Sequence, residues 1–246
     1  MILSFSVRDT KIHYAQTILG VFWIVLQPLL AVIIYTVFFK NWIQLSTGNV
    51  PYPVFVISGF MLWQYFSFIV INSGNSLIQN QRIVTKVSFP KLVPVISTAL
   101  TGMLSLIVSF IILKGLFIYY GISLKYQFFF FPVIVVLTSF VGLSIGIWLS
   151  ALTFRHRDLY HFATIIIGYG IWFTPVFFPT TLIPAKYDIL LYINPVTGLI
   201  ECFRWTLFGG ELPSINYLYG IIPVVVLFLT GLFYFNKVEK HIADII

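Results

Sequence analysis

The sequence predicts an all-α integral membrane protein with six transmembrane helices, an amino-terminal interfacial helix and two short re-entrant helices between the fifth and sixth spans. Three observations predict this. The chain is 59% hydrophobic and 9% charged, with a mean hydropathy of +1.00, and no soluble domain could cover such a surface. Apolar runs recur along it, long enough for the roughly 20 residues that cross a ~30 Å hydrocarbon core. One further apolar stretch, 179–216, is interrupted by Pro184, Pro195, Gly209-Gly210 and Pro213. Backbone broken in that way fits two short helices dipping into the membrane, not one span.

Residues 1–17 form the expected interfacial helix, with Leu3, Val7, Tyr14 and Ile18 on one stripe and Lys11 at its border. The first span is 18–39, charge-free, with Gln27-Pro28 inside it and Trp23 near the charged end. Lys40 and Trp42 anchor its far end, and 46–53 is a turn-rich loop. The second span is 54–78, and it becomes polar at Asn72-Ser73-Gly74-Asn75-Ser76. A basic loop, 79–91, leads to the third span, 92–117, whose Lys114 lies close enough to the end to snorkel outward. The fourth span is 128–152, and a second basic loop reads Arg155-His156-Arg157-Asp158. The fifth is 162–178, the sixth 217–235, and Asn236–Ile246 reads as a short tail. No internal repeat or linker divides the chain, so a single domain, 1–246, is expected.

Charge sets the orientation. The segments assigned to the cytoplasm hold Arg8, Lys11, Arg82, Lys86, Lys91, Arg155, Arg157, Lys237 and Lys240, and the outer ones hold Lys40, Lys125, Lys186 and Arg204. Nine against four is a positive-inside bias that puts both termini in the cytoplasm. The net charge of +7 is therefore read as topology and headgroup contact, not nucleic-acid binding. Cys202 is the one cysteine and forms no intrachain disulfide. The first apolar run exceeds the 7–15 residues of a signal-peptide core, so no cleaved leader is expected.

Several chemistries lack their residues. No lysine is followed by Ser or Thr, so the chain carries no P-loop. His156 and His161 have no cysteine or second carboxylate to complete a metal site, and headgroup contact is the favoured reading of both. No two carboxylates sit together for acid–base work, which argues against an enzyme, including a membrane-embedded glycan-processing one. A secondary carrier would want ionisable groups at mid-membrane, and almost none occur there.

Arg8-Asp9-x-Lys11, Tyr14-x-Gln16-Thr17-x-Leu19-Gly20-x-x-Trp23 and Gln27-Pro28 open a series of motifs that continues in order through the chain. Pro51-Tyr52-Pro53, Asn75-Ser76-Leu77, Val84-x-Lys86-Val87-x-Phe89-Pro90, Arg155-x-Arg157-Asp158 and Pro175-Val176 come next. Asn194-Pro195-x-x-Gly198-Leu199-Ile200-Glu201-x-Phe203-Arg204-Trp205 completes it. Together they resemble the ABC-2-type polysaccharide export permeases, the membrane subunits of ABC transporters for O-antigen, capsular polysaccharide or teichoic acid. The resemblance departs at His13, where the family often has a basic residue.

The resemblance implies a homodimer in the bacterial inner membrane that exports a polyprenyl-pyrophosphate-linked polysaccharide. Two cytoplasmic ABC ATPase subunits would drive it and bind ATP and magnesium, leaving this chain without a cofactor. A permease for teichoic acid, a drug or a lipid is the same machine with other cargo. In the family the loop between the second and third spans is the coupling helix. Carried over, Arg82, Lys86, Phe89, Pro90 and Lys91 are the candidate ATPase contacts, against the alternative that this loop only sets topology. Residues 179–216 would be external gate helices, with Glu201 and Arg204, three apart on one helical face, as the gate pair; a structural ion pair at the interface is the other reading. Arg8, Lys11, Arg155 and Arg157 would collect the substrate headgroup at the cytoplasmic entrance, or bind anionic lipid without selectivity.

Aromatic residues make up 19% of the chain. Their flat, polarised faces suit a conduit along which sugar C–H faces slide, while interfacial belts account for many of them. Phe22, Tyr35, Tyr169 and Trp172, on the first and fifth spans, are the candidate lining.

Overall fold

A computed structural model describes residues 1–15, 22–81, 83 and 89–242. Among them every regular element is helical. The chain runs α1 (Ile2–Ala15), α2 (Phe22–Tyr35), α3 (Tyr52–Gln79), α4 (Leu92–Tyr119), α5 (Phe131–Arg155), α6 (Asp158–Gly170), α7 (Asp188–Ile193), α8 (Pro195–Phe208) and α9 (Ile221–Ile242). Short helical turns extend several of these. A wide-turned π segment, Thr36–Trp42, prolongs α2, and 3-10 turns at Tyr126–Phe130 and Ile215–Gly220 lead into α5 and α9.

Five helical segments are long and apolar enough to cross a membrane: Phe22–Trp42, Tyr52–Gln79, Leu92–Tyr119, Tyr126–Arg155 and Ile215–Glu239. The protein is thus a multi-pass membrane protein. The fifth expected span differs. Its helix begins at Asp158, where a carboxylate favours a helix start, and ends at Gly170. At 13 residues it is about 20 Å long, short of the hydrocarbon core. A 3-10 turn, Ile171–Phe173, comes after it, and 174–178 is irregular because Pro175 cannot continue a helix. The expected tail also differs. The helix continues through Asn236, Lys237 and Glu239 to Ile242 because it stays packed: Phe235 is buried with Leu77 and Ile147, and Lys91 donates to the Glu239 carbonyl oxygen at 3.1 Å.

α3 is the hub. It is buried along most of its length and packs against α2, α4, α5, α6 and α8. Close approach of α3 and α5 depends on small residues one turn apart. A Cβ on Gly146 would lie 2.5 Å from Ser73 Cβ, and one on Gly142 would lie 2.9 Å from Ile69 Cγ2. Where water is absent, such small-residue stripes supply association through van der Waals contact. Interhelical hydrogen bonds add to it. Tyr65 on α3 donates to the Ala99 carbonyl on α4 at 3.0 Å and shares a 2.7 Å bond with Ser139 Oγ on α5. Ser73 Oγ and Thr98 Oγ1 lie 2.6 Å apart across α3 and α4.

α1 packs on α4, with Ser6 buried and Thr101 Oγ1 donating to Ser6 Oγ at 3.3 Å. Leu3 and Val7 face away from the bundle and are exposed. The remainder of the expected amphipathic stripe, Tyr14 and Ile18, lies outside the described side chains.

Gly146→Leu should lower stability by at least the ~1–3 kcal/mol of ordinary overpacking, since backbone-borne groups cannot yield. Gly115→Ala, on α4 with nothing within 4 Å of the added Cβ, should match or slightly exceed wild type. Thermal unfolding of both purified variants in mild detergent checks this; equal melting temperatures would refute the small-residue interface.

Candidate functional site

The break after α6 creates a problem that one side chain largely solves. Val176 and Phe177 are fully buried, yet the irregular backbone there leaves the carbonyls of 175–177 without helical partners. Arg204, from the middle of α8, reaches them. Its Nη1 donates to the Pro175 oxygen at 2.8 Å and its Nη2 to the Val176 oxygen at 2.9 Å. The Tyr52 hydroxyl, at the start of α3, donates to the Phe177 oxygen at 2.7 Å. Nη1 also meets Glu201 Oε1 at 3.0 Å, and the guanidinium carbon sits 3.6 Å from the Phe55 ring centroid. Gly59 admits this arrangement, because a Cβ there would stand 2.9 Å from both Arg204 Nη2 and the Val176 oxygen.

Arg204 is 5% exposed. Burial lowers its pKa from the usual range, while the charge and hydrogen bond of Glu201 oppose that. The planar fork lets it bind two carbonyls and a carboxylate at once, which a lysine could not do.

Asn194 links the same break to α8. Its side-chain oxygen caps α8 by accepting from Val196 N at 3.1 Å, and its amide donates to Thr174 Oγ1 at 3.0 Å. Thr174 in turn donates to the Gly170 oxygen, the last residue of α6, at 3.0 Å. Pro195 at the first helical position loses no hydrogen bond there.

Beside this cluster lies an aromatic group. Tyr35 stacks on Phe177 with centroids 3.7 Å apart, and Trp172 approaches Tyr35 edge-on at 6.0 Å and Phe177 at 5.4 Å. The structure therefore brings together two of the four expected conduit residues, Tyr35 and Trp172. Phe22 is exposed at the opposite end of α2, and Tyr169, 65% exposed, stands on the open face of α6. Exposed Phe162, Ile165, Ile166 and Phe173 continue that face. Reasoning from sequence missed Tyr52, Phe55, Thr174 and Phe177. Pro51-Tyr52-Pro53 and Pro175-Val176 marked their neighbourhoods, but nothing in the spacing showed that the two meet.

At the α1 end, Arg8 donates to Asp9 Oδ1, by Nε at 3.0 Å and Nη2 at 2.6 Å, and Nη2 also donates to Asn80 Oδ1 at the end of α3. Its guanidinium lies over the Phe5 ring. Arg8, Asp9 and Asn80 border a cavity of about 330 Å³ walled also by Phe68, Asn72, Gln79 and Thr98. Lys11 is exposed on α1. Arg155 and Arg157 are exposed at the α5–α6 corner, whereas α1 packs on α4, so the four expected entrance cations do not form one packed cluster.

Of the expected coupling residues, Arg82 and Lys86 lie outside the described residues. Pro90 is exposed. Phe89 packs inward, 5.4 Å from Phe5, and against the cluster of Leu77, Val95 and Phe235. Lys91 turns toward α9, its Nζ on the Glu239 oxygen. Phe89 and Lys91 thus tie the loop to α1 and α9 and are not free surface groups.

The sequence pattern described as ABC-2 type transporter matches residues 2–208, from α1 through the end of α8. The chain belongs to the ABC-2 type transporter family. It is also similar to curated permeases of that kind. O-antigen export system permease protein RfbA of Klebsiella pneumoniae is 31% identical over 245 residues, covering 97% of this chain and 92% of the relative. The protein of that name from Myxococcus xanthus is 26% identical over 231 residues, covering 93% and 88%. In this ABC-2 chain the family match takes in both halves of the Arg204 cluster, Tyr52 to Gly59 and 170–204.

Arg204→Met should cost about 3–5 kcal/mol, as expected when one partner of a buried charge pair is removed. Tyr52→Phe, which orphans one carbonyl, should cost about 1–3 kcal/mol, and Glu201→Gln less, because the carbonyls still hold Arg204. Thermal or denaturant unfolding in detergent ranks the three. Glu201→Gln proving the most damaging would reverse the assigned roles.

Proposed function

We propose that this chain is the permease subunit of an ABC transporter that exports a polyprenyl-pyrophosphate-linked, O-antigen-like polysaccharide across the bacterial inner membrane. The observation that carries the reading is similarity to O-antigen export permeases along almost the whole chain. The structure supplies a compatible surface: α2 and α6 expose apolar and aromatic faces, and Tyr35 of α2 meets Trp172 and Phe177, just beyond the end of α6.

In this reading both termini are cytoplasmic. α6 with its 3-10 extension and the 174–178 segment makes the sixth crossing, the fifth in chain order, and α7 and α8 re-enter from the outer side. Two copies pair about a two-fold axis, since one six-helix chain leaves little room for a wide conduit. The cytoplasmic ATPase, in two copies, binds ATP and magnesium and presses on the 79–91 loop. Because Phe89 and Lys91 are held by α1 and α9, that push reaches both helices. Arg8, Lys11, Arg155 and Arg157 receive the anionic headgroup, with anionic lipids as competitors. The Arg204 cluster holds the outer closure, and Glu201, its more accessible partner, is where closure loosens as glycan passes.

Three outcomes test the reading. Co-purification of the tagged chain in mild detergent should bring down a stoichiometric P-loop ATPase, and glutamate at both Arg82 and Lys86 should abolish ATP-driven export while the protein still inserts. Normal export by that double variant would remove the coupling assignment. Replacement of Tyr169 and Trp172 by Ala should cut the amount of surface glycan severalfold with assembly unchanged, read by immunoblot of the polysaccharide and size-exclusion chromatography of the complex. Unaltered glycan would take both residues out of the conduit.

A further inference from the structure

A second cleft lies beside α8, at the end of the bundle opposite α1. It is formed where the strap 179–187 passes α7 and the 3-10 turn Ile215–Gly220. Its volume is about 270 Å³, and its walls carry Thr180, Thr181, Asp188, Tyr192 and Tyr217, with Leu191 at the base. The Tyr192 and Tyr217 rings meet edge to face with centroids 5.1 Å apart. Tyr217 of the 3-10 turn and Thr180 of the strap both line the cleft, so strap and turn face one another across it. Asp188 is half-buried, and among the described residues its carboxylate has no ion pair.

We propose that this cleft is a sugar-binding subsite that takes one ring of the glycan as it leaves the conduit. The inference rests on the glycan-export reading above. Its basis is the combination of groups. A carboxylate accepts hydrogen bonds and cannot donate them, which suits the hydroxyls of a polyol. Threonine hydroxyls both donate and accept, so they complement either side of a sugar hydroxyl. Tyrosine faces provide apolar, electron-rich surface for C–H groups. The volume is just below the ~300–1,000 Å³ of drug-sized ligand sites, in keeping with a single ring.

Charge selects among occupants. Asp188 lies in the cleft wall, and Glu201 follows Gly198, which Tyr217 touches, by one helical turn on α8, so a phosphate or anionic lipid headgroup would be repelled. A neutral polyol is not. The same Tyr217 contacts Gly198 of α8, where a Cβ would stand 3.0 Å from Tyr217 Cβ. A ring seated in the cleft therefore bears on the helix that carries Glu201 and Arg204, three residues and six residues further on. Retention of the emerging chain at this point would oppose its sliding back.

The test uses the full chain in nanodiscs and, as probe, the host's surface polysaccharide freed of lipid by mild acid. Binding is read by saturation-transfer NMR and titration, and export by surface glycan in cells that carry the partner ATPase. Wild type should bind saturably. Asp188→Asn should weaken binding about tenfold, the effect expected when a charged acceptor loses its hydrogen bonds, at an unchanged melting temperature. Thr181→Ala, at an exposed position where folding is not at stake, should weaken it by a smaller factor, and Tyr192→Leu should abolish it. Variants that bind like wild type, while the wild type exports glycan, would overturn the subsite and leave the export reading intact. Displacement of the polysaccharide by tetramethylammonium would also overturn it, because the cleft would then be an aromatic–carboxylate ammonium site. A wild-type chain that exports no glycan would overturn the export reading and this inference with it.

Discussion

A backbone that leaves helical geometry among buried residues must find donors for its carbonyls, and the rest of the structure depends on how that is met. Arg204 meets it here. One guanidinium joins the 175–176 turn to α8, rests on Phe55 of α3 and is balanced by Glu201. Removing a single end of this arrangement leaves either a buried charge or buried carbonyls without partners, each of which is costly in a low-dielectric setting. The short α6 can therefore end where it does, and Trp172 and Phe177 can stand against Tyr35, because Arg204 secures the irregular segment beyond the helix.

The hub helix makes this possible from the other side. α3 supplies Tyr52, Phe55 and Gly59 to the Arg204 cluster at its start, Tyr65 and Ser73 to its neighbours midway, and Asn80 to Arg8 at its end. Its contacts with α5 and α4 rely on absent side chains and on hydroxyls. Neither kind depends on a hydrophobic driving force, which lipid would cancel. One helix, buried along most of its length, thus links the Arg204 cluster at one end of the bundle with Arg8 at the other. At the α1 end the same logic holds in miniature: Phe89 on Phe5 and Lys91 on Glu239 join a loop to the first and last helices.

Legibility in the sequence tracked the range of the interactions. Class and the five long helices could be read, because a charge-free run of about twenty residues has one stable outcome in a bilayer. The Glu201–Arg204 pair could be read because residues three apart share a helical face, and they meet at 3.0 Å. What escaped was everything set by residues distant in sequence. Phe177 sits in a stretch with no period, yet it joins Tyr35 and Tyr52, more than a hundred residues earlier. Lys91 is a candidate ATPase contact in the 79–91 loop, and the Glu239 carbonyl, near the far end of the chain, accepts its hydrogen bond.

The sequence by itself determined that this is a multi-pass helical membrane protein of the ABC-2 kind, since hydropathy and an ordered series of motifs are local properties of the chain. Only the tertiary structure decided where α6 stops, that α9 runs on to Ile242, and which carbonyls Arg204 serves. Those outcomes turn on which surfaces come within hydrogen-bond distance after the helices pack, and no spacing along a single strand of sequence encodes that distance.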